Sequence, residues 1–145
     1  MTQAKSAITT GAGSGVGQAT ALLLAHVGYH TVLVARTKKK LQETADTIQQ
    51  ETRGKVKCEI VEGDIGDPAT AERAVKTAVK SFGRLDAIAH VAGFAVSQPL
   101  TKNTPEQWRE TIDTNVSAIL YLAKYSWPTF QKQKSGVFVN VSSMA

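Results

Sequence analysis

A single cysteine, Cys58, leaves the chain no intrachain disulfide to form. Its stability must therefore come from burial, and such cysteine usage fits a reducing compartment. Long apolar runs are also missing. Runs such as Ala21 to Ala25 fall far short of the roughly 20 residues a bilayer-spanning helix needs. The opening residues, Met1 to Ser6, lead into no apolar stretch of the kind a signal peptide carries. We therefore expect a soluble, cytoplasmic protein with no membrane partner. Aromatic residues are sparse, at 6%. None interleaves with the basic cluster Arg36-Thr37-Lys38-Lys39-Lys40, which argues against a nucleic-acid surface. Neither metal-ligand spacing nor a defensible nucleophile–base pair is present, so no metal is expected. There is no internal repeat or low-complexity segment.

What remains is an ordinary globular composition, 42% hydrophobic and 20% charged, over 145 residues. That is the length of one domain, able to bury about 70% of the surface its unfolded chain exposes. Residues 1–145 are read as one domain. The formal charge of +5 and the pI of about 9.4 suit a mildly basic protein with an anionic small ligand.

Strand and helix signals alternate along the whole chain. Ser6 to Thr10 reads as a buried strand, and Val16 to Val27 as a helix with Val16, Ala19, Leu23 and Val27 at helical spacing before Gly28. Thr31 to Ala35 is a β-branched run covered on both faces. Lys38 to Thr52 predicts an exposed helix with Leu41, Ala45 and Ile48 inward, and Val56 to Ile60 an alternating third strand. Asp67-Pro68 caps a helix running to Phe82, and Ala87 to Ala92 is a fourth strand. Thr104-Pro105 opens a long helix to about Gln131, its last turn bent or frayed by Pro128. Val137 to Val141 is the fifth strand. This order predicts an α/β fold: a Rossmann-type, doubly wound parallel sheet with five strands present. Ligands on such sheets bind outside the carboxyl ends of the strands. The turns at Gly11, Arg36, Asp64, Gly93 and Ser142 all fall at that rim.

The residues at the rim point to a dinucleotide. Thr10 to Gly17 reads Thr-Gly-Ala-Gly-Ser-Gly-Val-Gly, with Gly11, Gly15 and Gly17 between a strand and a helix. There, backbone N–H groups and the positive helix end can hold a diphosphate. Where a NAD-type site places an acidic residue after the second strand, Ala35-Arg36 stand instead. A guanidinium takes a ribose 2′-phosphate bidentately and a carboxylate repels it, so Arg36 favours NADP(H). Lys38, Lys39 and Lys40 add positive potential nearby, and most of the three are read as a solvated helix start. Asp64 could accept from an adenine amino group, or could be a turn residue bonded to its own backbone. Asn115 is the polar member of the stripe Trp108, Ile112, Asn115, Ile119 and Leu122. Leaving its amide unpaired in the core would cost about 1–3 kcal/mol, so a definite partner is expected, a backbone group or a water. It is read either as a structural asparagine or as part of a proton relay. Ser142-Ser143 could offer a hydroxyl to a substrate carbonyl. His90, within a strand, is read as a core histidine.

Together these residues resemble the short-chain dehydrogenase/reductase family, across the whole chain. Residues 10–17, with Ser14 and Val16 among them, match its cofactor motif, and Asp64-Ile65 resembles its adenine-contacting pair. Ala92-Gly93 keeps the end of its Asn-Asn-Ala-Gly stretch, although His90-Val91 stand where the paired asparagines would be. Asn115, in Asp113-Thr114-Asn115-Val116, matches the helix asparagine of its catalytic tetrad, and Val139 to Ser143 the stretch ending in its catalytic serine, Ser143. The resemblance implies an NADP(H)-dependent oxidoreductase interconverting an alcohol and a ketone or aldehyde, acting on a small molecule as a homo-oligomer in its intact form. The family's Tyr-x-x-x-Lys motif would fall beyond Ala145. Tyr29, Tyr121 and Tyr125 cannot replace its tyrosine. We therefore expect the C-terminal part of the fold to be missing and these 145 residues alone to be inactive. The alternative is a non-catalytic dinucleotide-binding module or truncated homologue. A methyltransferase-like domain fits less well, because it would place an acidic residue where Ala35-Arg36 stand.

Overall fold

The computed structural model describes residues 3–143. Five strands, β1 (Ser6–Thr10), β2 (His30–Ala35), β3 (Cys58–Glu62), β4 (Ala87–His90) and β5 (Val137–Asn140), form one parallel sheet in the order β3-β2-β1-β4-β5. The chain builds outward from β1 to β3, then crosses back to place β4 on the other side of β1. The strand order therefore reverses between β1 and β4, where a crevice opens at the carboxyl ends. Every residue of β1 is buried, as a strand covered on both faces must be.

Helices α1 (Gly15–His26) and α2 (Lys38–Glu51) cover one face of the sheet, their core formed by Ala21, Ala25, Leu33, Leu41 and Ile48. Helix α3 (Pro68–Phe82) covers the other, packing Ala71, Ala74, Val75 and Ala78 against Ile8, Val32, Val34 and Ile88. Asp67 caps α3 by accepting the Ala69 N–H at 2.9 Å, Pro68 opens it, and Gly83 closes it with φ 74°.

Several expectations are corrected by the structure. The inward stripe of α1 is Gly17, Ala21 and Ala25, while Val16, Leu23 and Val27 lie exposed. The helix is apolar all round, and helical spacing fixes a period without fixing its phase. Small residues let it lie close to the sheet. Strand β3 begins at Cys58 rather than Val56, because its span is set by pairing with β2, from Thr31↔Cys58 to Ala35↔Glu62. Strand β4 stops at His90. The N–H groups of Val91 and Ala92 turn to the Thr10 hydroxyl, each at 3.0 Å, and leave the ladder.

The long fourth helix is not continuous. It comprises α4 (Pro105–Ile112), a π-helical segment at Asp113–Ser117, and α5 (Ala118–Gln133). Thr104 starts it with a reciprocal capping box to Gln107. The wide turn shifts the register, so the buried stripe is Thr114, Ala118, Leu122 and Ser126, and Trp108 is exposed. Helix α5 runs through Pro128 to Gln133 and ends with Lys134 in the left-handed region, so Pro128 neither ends nor frays it at Gln131. Ladder bonding beside β4 extends one residue past β5, through Val141 N–H to the His90 carbonyl at 3.0 Å.

Candidate functional site

Four strand ends and the π-helical segment enclose a cleft of about 470 Å³ at the switch point. The turn after β1 forms its floor. Gly11 sits at φ 66°, and Gly17, in the first turn of α1, lies against it. A Cβ on Gly17 would fall 2.1 Å from the Gly11 carbonyl oxygen. Only glycine lets the helix begin this close to the strand end. Ser14, the N-cap, makes no side-chain capping bond, and the first turn of α1 holds no acidic residue. The positive helix end is thus left open to the cleft, where an anion could be held.

Arg36 stands at the end of β2 and lines the cleft. Its Nη1 donates to Glu110 Oε1 of α4 at 2.9 Å, across the rim between the two layers. Asp64 and Ile65, after β3, line the same wall. Asp64 Oδ1 accepts the Gly66 N–H at 2.9 Å, the turn bond that the structural alternative requires, while the residue still borders the cleft. Ala92, Gly93 and Phe94 form the opposite wall with Thr114. The site thus brings together Gly11, Ser14, Val16, Gly17, Arg36, Asp64, Ile65, Ala92 and Gly93. Gly15, at φ 54°, shapes the turn without lining the cleft.

Asn115 lies in the π-helical segment and spends its carboxamide on one residue. Its Oδ1 accepts the Phe94 N–H at 2.9 Å and its Nδ2 donates to the Phe94 carbonyl at 2.6 Å. The expected partner is therefore a backbone group, and Asn115 clamps the loop after β4. Ser143 is exposed, three residues beyond β5 on the same rim, and does not line the cleft.

Three contributors are absent from the expectations above. Thr10 gathers the Val91 and Ala92 N–H groups on its hydroxyl. It stands within the glycine motif, so the signal was present, but its role is invisible until β4 is placed beside it. Thr114 lines the cleft because of the π-helical shift. Glu110 meets Arg36 from 74 residues away, with no local signal.

His90 is buried, as a core histidine should be. Burial pushes its pKa below the ordinary histidine range, and the Thr114 carbonyl that its ring bonds partly opposes this. No helix among the described residues is long and apolar enough to cross a membrane.

Residues 5–145 match the short chain dehydrogenase family. An uncharacterized oxidoreductase of Staphylococcus aureus strain USA300 is 35% identical over 141 residues, which is 97% of this chain and 59% of that protein. The chain thus spans less than two thirds of the length of the curated relatives it matches. Among solved structures, L-sorbose reductase of Gluconobacter frateurii, complexed with NADPH and L-sorbose, superposes with a TM-score of 0.89. It is 28% identical, with 99% of this chain and 55% of that one covered. A metagenomic short-chain oxidoreductase in complex with NADP gives a TM-score of 0.88 at 27% identity, covering 97% and 62%.

Proposed function

Because the chain belongs to the short-chain dehydrogenase family, we propose that residues 1–145 form the dinucleotide-binding domain of an NADP(H)-dependent oxidoreductase. In its intact form it would interconvert an alcohol and a ketone or aldehyde by hydride transfer. The observation that carries this reading is the cleft itself: a glycine cradle beneath an open helix N-terminus, with a guanidinium at the ribose end. The complexes of the sorbose reductase with NADPH and of the metagenomic oxidoreductase with NADP support the choice of cofactor.

The residues divide the work. Gly11, Gly15 and Gly17 let the backbone approach the diphosphate, with Ser14 and Val16 at the helix start. Arg36 reads the 2′-phosphate, exchanging Glu110 for it. Asp64 and Ile65 border the adenine, and Ala92 and Gly93 let the dinucleotide pass along the other wall. Ser143 orients the substrate carbonyl, and Asn115 supports the relay water while clamping the Phe94 loop. The nicotinamide supplies the hydride chemistry; the protein supplies orientation and polarisation. The partners are a small carbonyl or alcohol substrate and, in the intact form, further copies of the chain. The reading includes a cytoplasmic location and no nucleic-acid or membrane partner.

Reduced-nicotinamide absorbance with a panel of ketones and aldehydes tests the reading in the full-length protein. NADPH consumption exceeding that of NADH is expected. Tight NADPH binding with no consumption on any carbonyl would replace the enzyme with a binding module.

A further inference from the structure

His90 departs from the pattern of the family it belongs to, and its ring sits at a junction. Its Nδ1 lies 2.8 Å from Thr10 Oγ1, and its Nε2 lies 3.1 Å from the Thr114 carbonyl oxygen. The protons in this network can be placed by elimination. Thr10 Oγ1 accepts two N–H bonds, from Val91 and Ala92, which occupy both of its lone pairs. Its own hydrogen must therefore be donated to His90 Nδ1. That leaves Nδ1 as an acceptor and puts the ring proton on Nε2, where it is donated to the Thr114 carbonyl. Every polar atom of the ring and of the hydroxyl is then satisfied, as burial requires.

We propose that His90 is a positioning residue: as the neutral Nε2–H imidazole it ties the end of β1 and the loop after β4 to the π-helical segment, and so sets the floor and one wall of the dinucleotide cleft. Each member of the junction borders the cleft or adjoins a residue that does. Val91, which follows His90, and Gly11, which follows Thr10, line the cleft, and so does Thr114 itself. The Asn115–Phe94 clamp closes the same loop from its far side.

Protonation cannot be accommodated without breaking this set. An imidazolium presents an Nδ1–H to an oxygen with no lone pair left, so either that contact is lost or the Val91 or Ala92 N–H is displaced. The neighbouring elements do little to compensate. Strands β1, β4 and β5 carry no acidic or basic side chain besides His90, and the inward face of α3 carries none. On the helical run opposite, the titratable groups that are not exposed are Glu110, paired with Arg36, Asp113, which accepts from the Ser117 hydroxyl at 3.2 Å, and the half-buried Tyr121 and Tyr125; Glu106, Arg109, Lys124 and Lys132 are exposed.

The inference rests on the cofactor reading, and two measurements on the full-length protein separate them. The first is the dissociation constant of NADP+ from pH 7.5 to 5.0, in wild type and in His90→Asn, which carries the family's usual residue and does not titrate. Their ratio cancels the titration of the ligand's own 2′-phosphate. Wild type should lose about tenfold more affinity than His90→Asn across this range, about 1.4 kcal/mol. Parallel profiles would overturn the positioning role. The second is the imidazole 15N spectrum, which should show His90 as Nε2–H at neutral pH; an Nδ1–H ring would overturn the network whatever binds. If no NADP+ binds at any pH, the cofactor reading fails, and the spectrum still decides the junction.

Discussion

At residue scale the cleft depends on groups with little freedom to change. Gly17 is one: an added Cβ would overlap the Gly11 carbonyl. Gly17→Ala should lower stability by about 2–3 kcal/mol, visible in a thermal melt, and should abolish dinucleotide binding. An unchanged melting temperature would contradict the close packing. Glu110 acts in the opposite sense. Its carboxylate occupies the guanidinium that the reading assigns to a phosphate. The pair is exposed and weak, so Glu110→Gln should tighten NADPH by no more than about fivefold and leave NADH unchanged. Equal gains for both, or none, would show that the pair does not compete with the ligand. Arg36 was legible because it stands where a carboxylate was expected. Glu110 was not, since an ion pair between residues 74 apart exists only once α4 lies over β2.

At the scale of elements, the strands and helices were legible wherever local chemistry decides them. The Asp67-Pro68 start and Gly83 stop of α3 are examples. Ends decided by a partner were not. β3 takes its limits from β2, and β4 stops because Thr10 captures two N–H groups. The π-helical segment that places Thr114 and Asn115 leaves no mark that helical spacing can detect. At the opposite end of β1 and β4, Asp86 is buried beside the half-buried Arg84 and accepts the Ser6 N–H at 2.9 Å. Burial pushes the Asp86 pKa up, but the Arg84 and Ser6 hydrogen bonds and the charges of Arg84 and Lys5 outweigh it and hold the carboxyl below its usual range. A depressed carboxyl stabilises the fold fully above its unfolded value, about 3.9. That contribution is lost as pH falls through the folded value. Denaturant melts at acid pH should therefore show a loss of stability below about pH 4 that is reduced in Asp86→Asn. His90 acts over a higher window: with its pKa lowered, the folded state loses stability as pH falls below about 6.5. Identical acid profiles for wild type and Asp86→Asn would remove Asp86 from this account.

On the scale of the whole molecule, helices α2 and α3 pack on β3 at one edge of the sheet, while β5 at the other is largely bare. Val137, Val139 and Val141 are about half exposed on and beside β5, and Leu23 and Val27 lie open on α1. An open apolar edge strand invites pairing with other chains. The 145 residues alone should therefore self-associate or precipitate. A monodisperse monomer in size-exclusion chromatography, melting with full cooperativity, would contradict this. The doubly wound order followed from the alternation of elements, because parallel strands require long crossovers. The exposed face of α1 did not, because spacing alone could not choose which apolar side faces the sheet.

The central claim, that the cleft is built for a 2′-phosphorylated dinucleotide, is tested most directly by calorimetric titration of the full-length protein. NADP+ and NAD+ are each titrated into wild type and Arg36→Ala. The account predicts that wild type binds NADP+ at least about tenfold more tightly, and that Arg36→Ala loses this preference with little change for NAD+. Equal binding of the two by wild type, or a preference that survives the substitution, would contradict it.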